Sequence, residues 1–226
     1  MTVMTNIADN IRRIEQQLPQ GVRLVAVSKY HPVEMLRQAY EAGQRVFGEN
    51  HVQELVAKAP QLPSDIQWHM IGHLQTNKVR ALMPHVSMIQ SIDSIKLLRT
   101  VEKEAARIGR TVDVLLQLHV AQETTKTGFA VPELQEALSM GEFDNIPHVR
   151  VRGLMAMATN TDDQAQIERE FQHVKDTFGI IRQKYYIGRD EFDQISMGMS
   201  DDWPLAVKHG ATLVRVGSAI FGPRQY

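Results

Sequence analysis

The sequence predicts a single (β/α)8 barrel with one additional helix at the N-terminus, and residues 1–226 are expected to form one domain. Eight short apolar runs alternate with longer segments whose apolar residues recur with helical period. The runs are apolar nearly throughout, as in parallel strands that are covered on both faces. A chain of 226 residues is an ordinary length for one such barrel. An open doubly wound sheet is the alternative, but no glycine-rich dinucleotide fingerprint follows the first run.

The predicted elements follow one another in a regular order. The N-terminal helix is expected at about residues 4–18, in a polar and amphipathic stretch. The clearest later helix has one apolar face, and Thr161 and Gln164 before it are spaced as a capping box. Four helical segments end in a glycine that favours a left-handed C-cap: Gly43, Gly109, Gly141 and Gly210. The predicted strands span residues 22–29, 45–50, 66–73, 86–92, 111–120, 150–158, 194–199 and 211–217.

Composition excludes several classes of function. The formal net charge is -1 and charged residues make up 23% of the chain, so we expect no nucleic-acid partner. The chain has no cysteine, which excludes a disulfide scaffold, a thiol nucleophile and a cysteine-ligated metal. No apolar run approaches the ~18 residues of a membrane span, and the first residues lack the apolar core of a signal peptide. We therefore expect a cytoplasmic protein with no membrane partner, and we expect it to be a monomer.

Small and polar residues follow the last two predicted strands. SMGMS ends the seventh strand and RVGSA ends the eighth, where the loops of (β/α)8 barrels commonly bind a phosphate group. Small residues let backbone N–H groups approach an anion, and Ser196, Ser200 and Ser218 add hydroxyl groups. Either segment alone could be only a tight turn. Together, on adjacent strands, they predict a phosphate site.

A lysine ends the first predicted strand, in the segment LVAVSKYHP. A lysine in such a place usually extends its ammonium group into water, and this is the simple alternative for Lys29. If the first strand ends in the same mouth as the phosphate site, the amine can instead form an imine with an aldehyde whose phosphate is held across the barrel. The nucleophile is the neutral amine, which burial or a nearby cation such as Arg215 would favour.

A series of motifs extends over most of the chain, from about Val22 to Gly222. In order they are AVSK, FGENHVQE, WHMIGHLQTNK, the KTG of residues 126–128, RGLMAM, SMGMSDD and VRVGSAIFG. They resemble the motifs of the pyridoxal phosphate homeostasis proteins of the YggS/PROSC type. The resemblance implies an alanine-racemase-like barrel, PLP fold type III, that binds pyridoxal 5'-phosphate (PLP) as an internal aldimine.

The same resemblance assigns roles to individual residues. It implies that Lys29 is the Schiff-base lysine and that Arg215 faces the pyridine nitrogen. The residues that it places around the mouth of the barrel are Asn50, His73 and Asn77. The residues that it assigns to the phosphate are Ser196, Gly217 and Ser218, with the backbone of Met199 and Ser200.

The chain departs from the usual family pattern at a few positions. Tyr30 and His31 follow the lysine where small or basic residues are usual. His119 and Ala121 replace the typical asparagine and serine, which puts the polar contacts of those two positions in doubt. GSAIFG has serine where threonine is common, and neither this serine nor the Tyr30–His31 pair removes a group that the predicted site needs.

Other polar residues have competing interpretations. Glu49 and Asn50 either line the pocket or begin the next helix, because asparagine is a preferred N-cap. His69 and His73 have the spacing of a helical metal site, but they fall in or just after a strand, so we predict no metal site. The adjacent acids 201–202 favour helix capping over catalysis.

These observations together predict a PLP carrier that buffers or delivers the cofactor, and apo-enzymes are the expected recipients. Arginine at the ring nitrogen leaves the pyridine unprotonated, which disfavours broad carbanion chemistry. Racemases of this barrel type complete their site with a second domain, and none is expected after Gly222. A PLP-dependent racemase and a cofactor-free Schiff-base aldolase acting on a sugar phosphate are the alternatives.

Overall fold

The computed structural model describes residues 6–121 and 127–223, and eight parallel strands within them close a barrel in chain order. Each strand pairs with the next along the chain, and the eighth pairs with the first. This confirms the predicted fold class. The strands are β1 Arg23–Val27, β2 Val46–Glu49, β3 Gln67–Met70, β4 Met88–Ile92, β5 Val112–Leu118, β6 Val149–Ala156, β7 Gln194–Ser196 and β8 Leu213–Val216.

Helices follow the strands around the outside of the barrel. They are α1 Ile7–Glu15, α2 Val33–Glu41, α3 Val52–Lys58, α4 Val79–Leu82, α5 Ile95–Arg107, α6 Val131–Ser139, α7 Gln164–Tyr185, α8 Trp203–Lys208 and α9 Ser218–Phe221. The first is the predicted N-terminal helix, although its predicted start at residue 4 lies outside the described residues. Since residues 1–5, 122–126 and 224–226 are also outside them, one domain over residues 1–226 stays a prediction.

Two groups of buried apolar side chains hold the barrel together. The larger group packs the strands against the surrounding helices and includes α1, whose Ile7, Ile11 and Ile14 are buried. The smaller group comes from strand residues that fill the barrel interior: Val25, Val46, Met88, Leu115, Met155 and Leu213. Because parallel strands place all their carboxyl ends on one face, the loops that follow them meet there.

Helix ends agree with the sequence patterns in most places. The four predicted C-cap glycines all have positive φ, between 63° and 106°. The predicted capping box is wrong, because α7 begins only at Gln164 and its N-cap is Asp163, whose carboxylate accepts a hydrogen bond from Gln166 N at 3.1 Å. Thr161 instead accepts a hydrogen bond from the N–H of Asp163. None of the helices in the described residues is long and apolar enough to cross a membrane.

Candidate functional site

A cavity of about 290 Å³ opens at the carboxyl ends of the strands. Its wall includes residues that follow β1, β2, β7 and β8, so the loops after the first and last strands converge on it. Seven of the ten predicted site residues line it: Lys29, Asn50, Met199, Ser200, Arg215, Gly217 and Ser218. The remaining three, His73, Asn77 and Ser196, do not line this cavity.

Lys29 lies in the turn that follows β1, two residues beyond the last strand residue. Ser28 N donates to Gly48 O at 3.0 Å, which extends the pairing of β1 and β2 up to the turn. Tyr30 then adopts φ 65°, a left-handed conformation that is uncommon outside glycine. The chain reverses sharply at this point, and the lysine side chain is left on the cavity wall.

Arg215 is the buried cation of the site. It comes from β8 and is only 4% exposed. Its Nη1 donates to Ser196 Oγ at 2.6 Å and its Nη2 donates to Ala156 O at 2.8 Å. Both partners are neutral, and burial lowers the pKa of Arg215 to about 10, although the charge of Asp202 opposes the shift. The guanidinium therefore remains protonated near neutral pH, and no ion pair in the described ranges neutralises its charge.

A chain of buried polar side chains leads from Arg215 into the barrel interior. Ser196 Oγ donates to Gln90 Oε1 at 2.6 Å, and Gln90 Nε2 lies 2.8 Å from His69 Nδ1. Burial, with a smaller contribution from Arg23, lowers the pKa of His69 to about 3, so the ring is neutral and its Nδ1 can accept from Gln90. The hydroxyl of Ser196 thus bonds to Gln90 and Arg215, and its predicted contact with a phosphate stays a prediction.

The loops after β7 and β8 approach each other closely. Arg215 N donates to Gly198 O at 3.0 Å, and Gly217 N donates to Ser200 Oγ at 3.3 Å. A Cβ atom on Gly217 would lie 3.2 Å from Val27 O, so a larger residue would press against the end of β1. Helix α9 begins directly after Gly217, and the first N–H groups of a helix have no intrahelical partner. The loops thus place backbone donors at the cavity.

Asp202 shapes the first of these loops. It is the N-cap residue of α8, as the capping interpretation predicted, but its carboxylate accepts from Met199 N at 2.5 Å rather than from a helical N–H group. The acid therefore holds the backbone of the loop after β7.

His73 and Asn77 lie in the chain after β3, away from the cavity lining. His73 is 54% exposed at its side chain, and its Nδ1 lies 2.9 Å from Asp93 Oδ2. Asn77 belongs to a short 3-10 turn at residues 76–78. No group of three or more histidine or acidic side chains that could hold a metal occurs in residues 6–121 and 127–223.

Asn50 and Glu49 have different environments, although they are adjacent in the chain. Asn50 lines the cavity, and Gly72 packs so tightly on it that a Cβ atom would lie 2.3 Å from Asn50 O. The N-cap of α3 is His51, so the capping interpretation of Glu49 and Asn50 is wrong. Glu49 is fully buried behind the cavity and bonds to Ser28 and Lys58.

Lys58 and Gln90 are two residues of this region that the sequence patterns did not identify. Lys58 lies on the buried face of α3 with Val52 and Leu55, at intervals of three residues. The sequence feature that could have identified Lys58 is a lysine at a position of α3 where the helical period predicts a buried apolar residue. Gln90 similarly interrupts the apolar run of β4.

Comparison with known proteins shows the family of this chain. The family described as "Alanine racemase, N-terminal domain" matches residues 4–225. The pyridoxal phosphate homeostasis protein of Haemophilus influenzae is 36% identical over 235 residues, which cover 98% of this chain and 97% of that protein. The protein of the same name from Schizosaccharomyces pombe is 37% identical and covers 99% of this chain, with 94% of its own length aligned.

Solved structures agree with this assignment. PipY of Synechococcus elongatus with PLP bound has a TM-score of 0.87 and 37% identity, and the match covers 96% of this chain and all of PipY. Alanine racemase of Clostridium difficile has a TM-score of 0.79 at 12% identity, and 61% of that chain is matched, so it shows a shared fold alone. From these matches, and from motifs that extend over nearly its full length, the chain belongs to the pyridoxal phosphate homeostasis protein family.

Proposed function

We propose that this chain binds PLP in the cavity at the carboxyl face and acts as a carrier that buffers the cofactor and delivers it to apo-enzymes. The supporting observation is that one cavity brings together a lysine, a buried arginine with neutral partners, and two loops of small residues. Lys29, Arg215 and Gly217 represent these three features. The PLP-bound structure of PipY, a relative with 37% identity, supports the same ligand.

The cavity suits PLP in its size and in its chemistry. A volume of about 290 Å³ is at the lower end of the range of ligand pockets, roughly 300–1,000 Å³, and suits one small ring with a phosphate. Arg215 has five N–H donors, of which the bonds to Ser196 and Ala156 use two, so donors remain for a ligand. An acceptor such as the pyridine nitrogen of PLP matches them.

Lys29 and Arg215 act on opposite parts of the ligand in this proposal. When bound, PLP supplies an aldehyde with which the Lys29 amine can form a covalent link. Arg215 donates to the pyridine nitrogen and, because it stays protonated itself, leaves that nitrogen without a proton. An unprotonated pyridine is a weak electron sink, which favours storage of the cofactor over reactions of bound amino acids.

The phosphate is assigned to the loops after β7 and β8. The backbone N–H of Ser200, with the backbone N–H and hydroxyl of Ser218 at the start of α9, supplies the donors. Met199 and Gly217 shape the two loops, because their own N–H groups bond to Asp202 and to Ser200 Oγ. Ser196 supports Arg215 rather than the phosphate. Asn50 borders the ring, whereas the positions of His73 and Asn77 give no support for a contact with PLP.

The carrier interpretation includes a monomer in the cytoplasm. The seven predicted residues at the cavity are supplied by a single copy of the chain, which supports the monomer. The names of the relatives describe homeostasis of the cofactor rather than a reaction.

Absorbance and covalent labelling test the proposal directly. Purified protein supplied with PLP should absorb at ~420 nm, and borohydride reduction followed by peptide mapping should place the label on Lys29. Lys29→Ala should lose this absorbance but still retain PLP noncovalently, with faster loss on dialysis. Label on Lys78 or Lys208 would overturn the assignment of Lys29, and label on Lys126, which lies outside the described residues, would do the same.

Turnover distinguishes the carrier from the alternatives. A carrier should show no racemase, transaminase or decarboxylase activity above that of free PLP with common amino acids. Lys29-dependent uptake of solvent deuterium at the Cα of an amino acid, at ~1 per second or faster, would establish a racemase-like enzyme. A colourless protein that cleaves a sugar phosphate through Lys29 would establish the aldolase.

A further inference from the structure

The turn that contains Lys29 is fixed by a buried cluster of charges on the side away from the cavity. The cluster consists of Lys58, at the end of α3, with Glu49 from β2 and Glu54 from α3. Lys58 is 8% exposed and Glu49 is 0% exposed. Both charges are thus withdrawn from water beside a residue that we assign to the ligand.

Lys58 bonds to the residue before Lys29. Its Nζ donates to Ser28 O at 3.0 Å and to Glu49 Oε1 at 2.7 Å. The same carboxylate oxygen accepts from Ser28 Oγ at 2.8 Å. Ser28 is therefore held through both its backbone and its hydroxyl group.

Lys58 also acts on the residue after Lys29, through Glu54. Its Nζ donates to Glu54 Oε2 at 2.8 Å, and this oxygen accepts from Tyr30 N at 2.8 Å. Tyr30 is the residue with φ 65°, whose unusual backbone needs such support. One ammonium group thus ties down both neighbours of Lys29.

Burial of these charges opposes folding, so the cluster is not explained by a contribution to stability alone. Burial raises the pKa of Glu49, although Lys58 and Ser28 oppose the shift, and Glu49 Oε2 has no hydrogen-bond partner in the described residues. Burial alone would raise the pKa of Glu54, but the hydrogen bonds from Lys58, Tyr30 and His51 outweigh this effect and lower the pKa. Well-packed apolar residues often replace a buried ion pair without loss of stability. The directional bonds to the turn are what an apolar replacement would not supply.

We propose that Lys58 is a positioning residue that holds the Lys29 amine where it meets the PLP aldehyde, an inference that rests on the proposed function. In the covalent step the neutral Lys29 nitrogen bonds to the aldehyde carbon, the carbon–oxygen bond of the aldehyde breaks, and the oxygen leaves as water with the two hydrogens of the amine. Lys58 takes no part in these bonds. It fixes Ser28 and Tyr30, so the amine approaches the aldehyde from one defined backbone position.

The experiment compares two ligands in the variant Lys58→Met. PLP reports the covalent step through its absorbance at ~420 nm, and pyridoxine 5'-phosphate, which has a hydroxymethyl group in place of the aldehyde, reports only the phosphate loops and Arg215. The rate of covalent linkage should fall about tenfold or more, while the affinity for pyridoxine 5'-phosphate should change by less than about threefold. An unchanged linkage rate would overturn the inference, as would an equal loss for both ligands.

Two further variants make the result specific. Lys58→Met with Glu49→Gln avoids an unpaired buried carboxylate, and the same split between the ligands is expected from it if the single variant does not fold. Arg152→Met breaks ion pairs with Asp113 and Asp193 at the other end of the barrel and should leave the linkage rate unchanged. Wild type that forms no link to Lys29 would refute the proposed function, whereas a normal link in both wild type and Lys58→Met would refute only the role of Lys58.

Discussion

The two ends of the barrel differ in how their arginines are neutralised. A cavity of about 380 Å³ at the amino end is lined by Arg152, Asp113 and Asp193 among others, and it is larger than the cavity of about 290 Å³ at the carboxyl end. Arg152 donates to Asp113 at 3.0 Å and to Asp193 at 2.9 Å. Among residues 6–121 and 127–223, the guanidinium of Arg215 at the carboxyl end bonds only to the neutral Ser196 Oγ and Ala156 O.

The pKa shifts of the two arginines express the same difference. Burial alone would lower the pKa of Arg152, but the bonds and charges of Asp193 and Asp113 outweigh it and the pKa is raised. Burial prevails at Arg215 and lowers its pKa to about 10. The charge of Arg152 in the larger cavity is thus offset by its own ion pairs, whereas the smaller cavity retains a buried cation that can act on a ligand. A buried charge that the fold leaves without an ion pair therefore locates the site better than cavity volume does.

Reversal of the charge of Arg215 should change PLP affinity more than any other substitution considered at either end of the barrel. Arg215→Glu places a carboxylate beside the loops that we assign to the phosphate and removes the donor that we propose for the pyridine nitrogen. We expect PLP affinity to fall about a hundredfold or more, which corresponds to about 3 kcal/mol, and to fall further than in Lys29→Ala. Equilibrium dialysis or fluorescence titration with PLP measures both variants.

Arg152→Glu is the matched variant at the amino end. It should reduce the free energy of unfolding, because it places a third carboxylate beside Asp113 and Asp193, but PLP affinity should remain within about twofold of wild type. A loss of PLP affinity as large as that of Arg215→Glu would contradict the assignment of PLP to the carboxyl end of the barrel.

The sequence predicts those features of the two barrel ends that depend on the periodicity of the apolar residues. Alternating strands and helices, and the placement of strand ends on one face, follow from apolar runs and glycine caps within single segments. Lys29 and Arg215 could be placed because each follows or ends a recognisable strand. The sequence motifs, rather than the physical pattern, assigned their roles.

Contacts across the barrel were not predictable in the same way. The segment of Ser196 alone predicts a phosphate contact, but its partner Gln90 comes from a strand more than a hundred residues earlier in the chain. Lys58 reaches Ser28 from α3, and spacing along α3 tells which face is buried but not which carbonyl lies opposite. His73 and Asn77 depended on the course of a loop, which periodicity does not determine.

The second prediction concerns His69, which lines the amino-end cavity and joins the polar chain that ends at Arg215. Its pKa is lowered to about 3 by burial and by Arg23, whereas an unfolded histidine titrates at ~6.5. A lowered pKa favours the folded state above pH ~6.5, and this stability is lost as the pH falls toward 3. Between pH 6.5 and 5 the loss should be about 2 kcal/mol.

His69→Asn tests this effect in urea unfolding of the cofactor-free protein at pH 7 and pH 5. The variant retains an oxygen near the position of Nδ1 that can accept from Gln90, so the polar chain is preserved, but it has no proton to take up. Its free energy of unfolding should fall less between the two pH values than that of wild type, by about 2 kcal/mol. His73→Asn changes an exposed histidine and should retain the wild-type loss. Equal pH dependence in wild type and His69→Asn would contradict the buried neutral ring.

The smallest expected effect concerns Ser200, because its hydroxyl contributes only a long bond, 3.3 Å, from Gly217 N. If backbone N–H groups supply most of the phosphate contacts, Ser200→Ala should reduce PLP affinity only two- to threefold, about 0.5 kcal/mol. Ser87→Ala, at the rim of the amino-end cavity, is the matched hydroxyl deletion and should leave PLP affinity unchanged. Titration of both variants with PLP shows whether backbone N–H groups or the Ser200 hydroxyl supply the main contact to the phosphate. A loss of tenfold or more in Ser200→Ala would mean that the side-chain hydroxyl, rather than the backbone of the two loops, is the main phosphate donor.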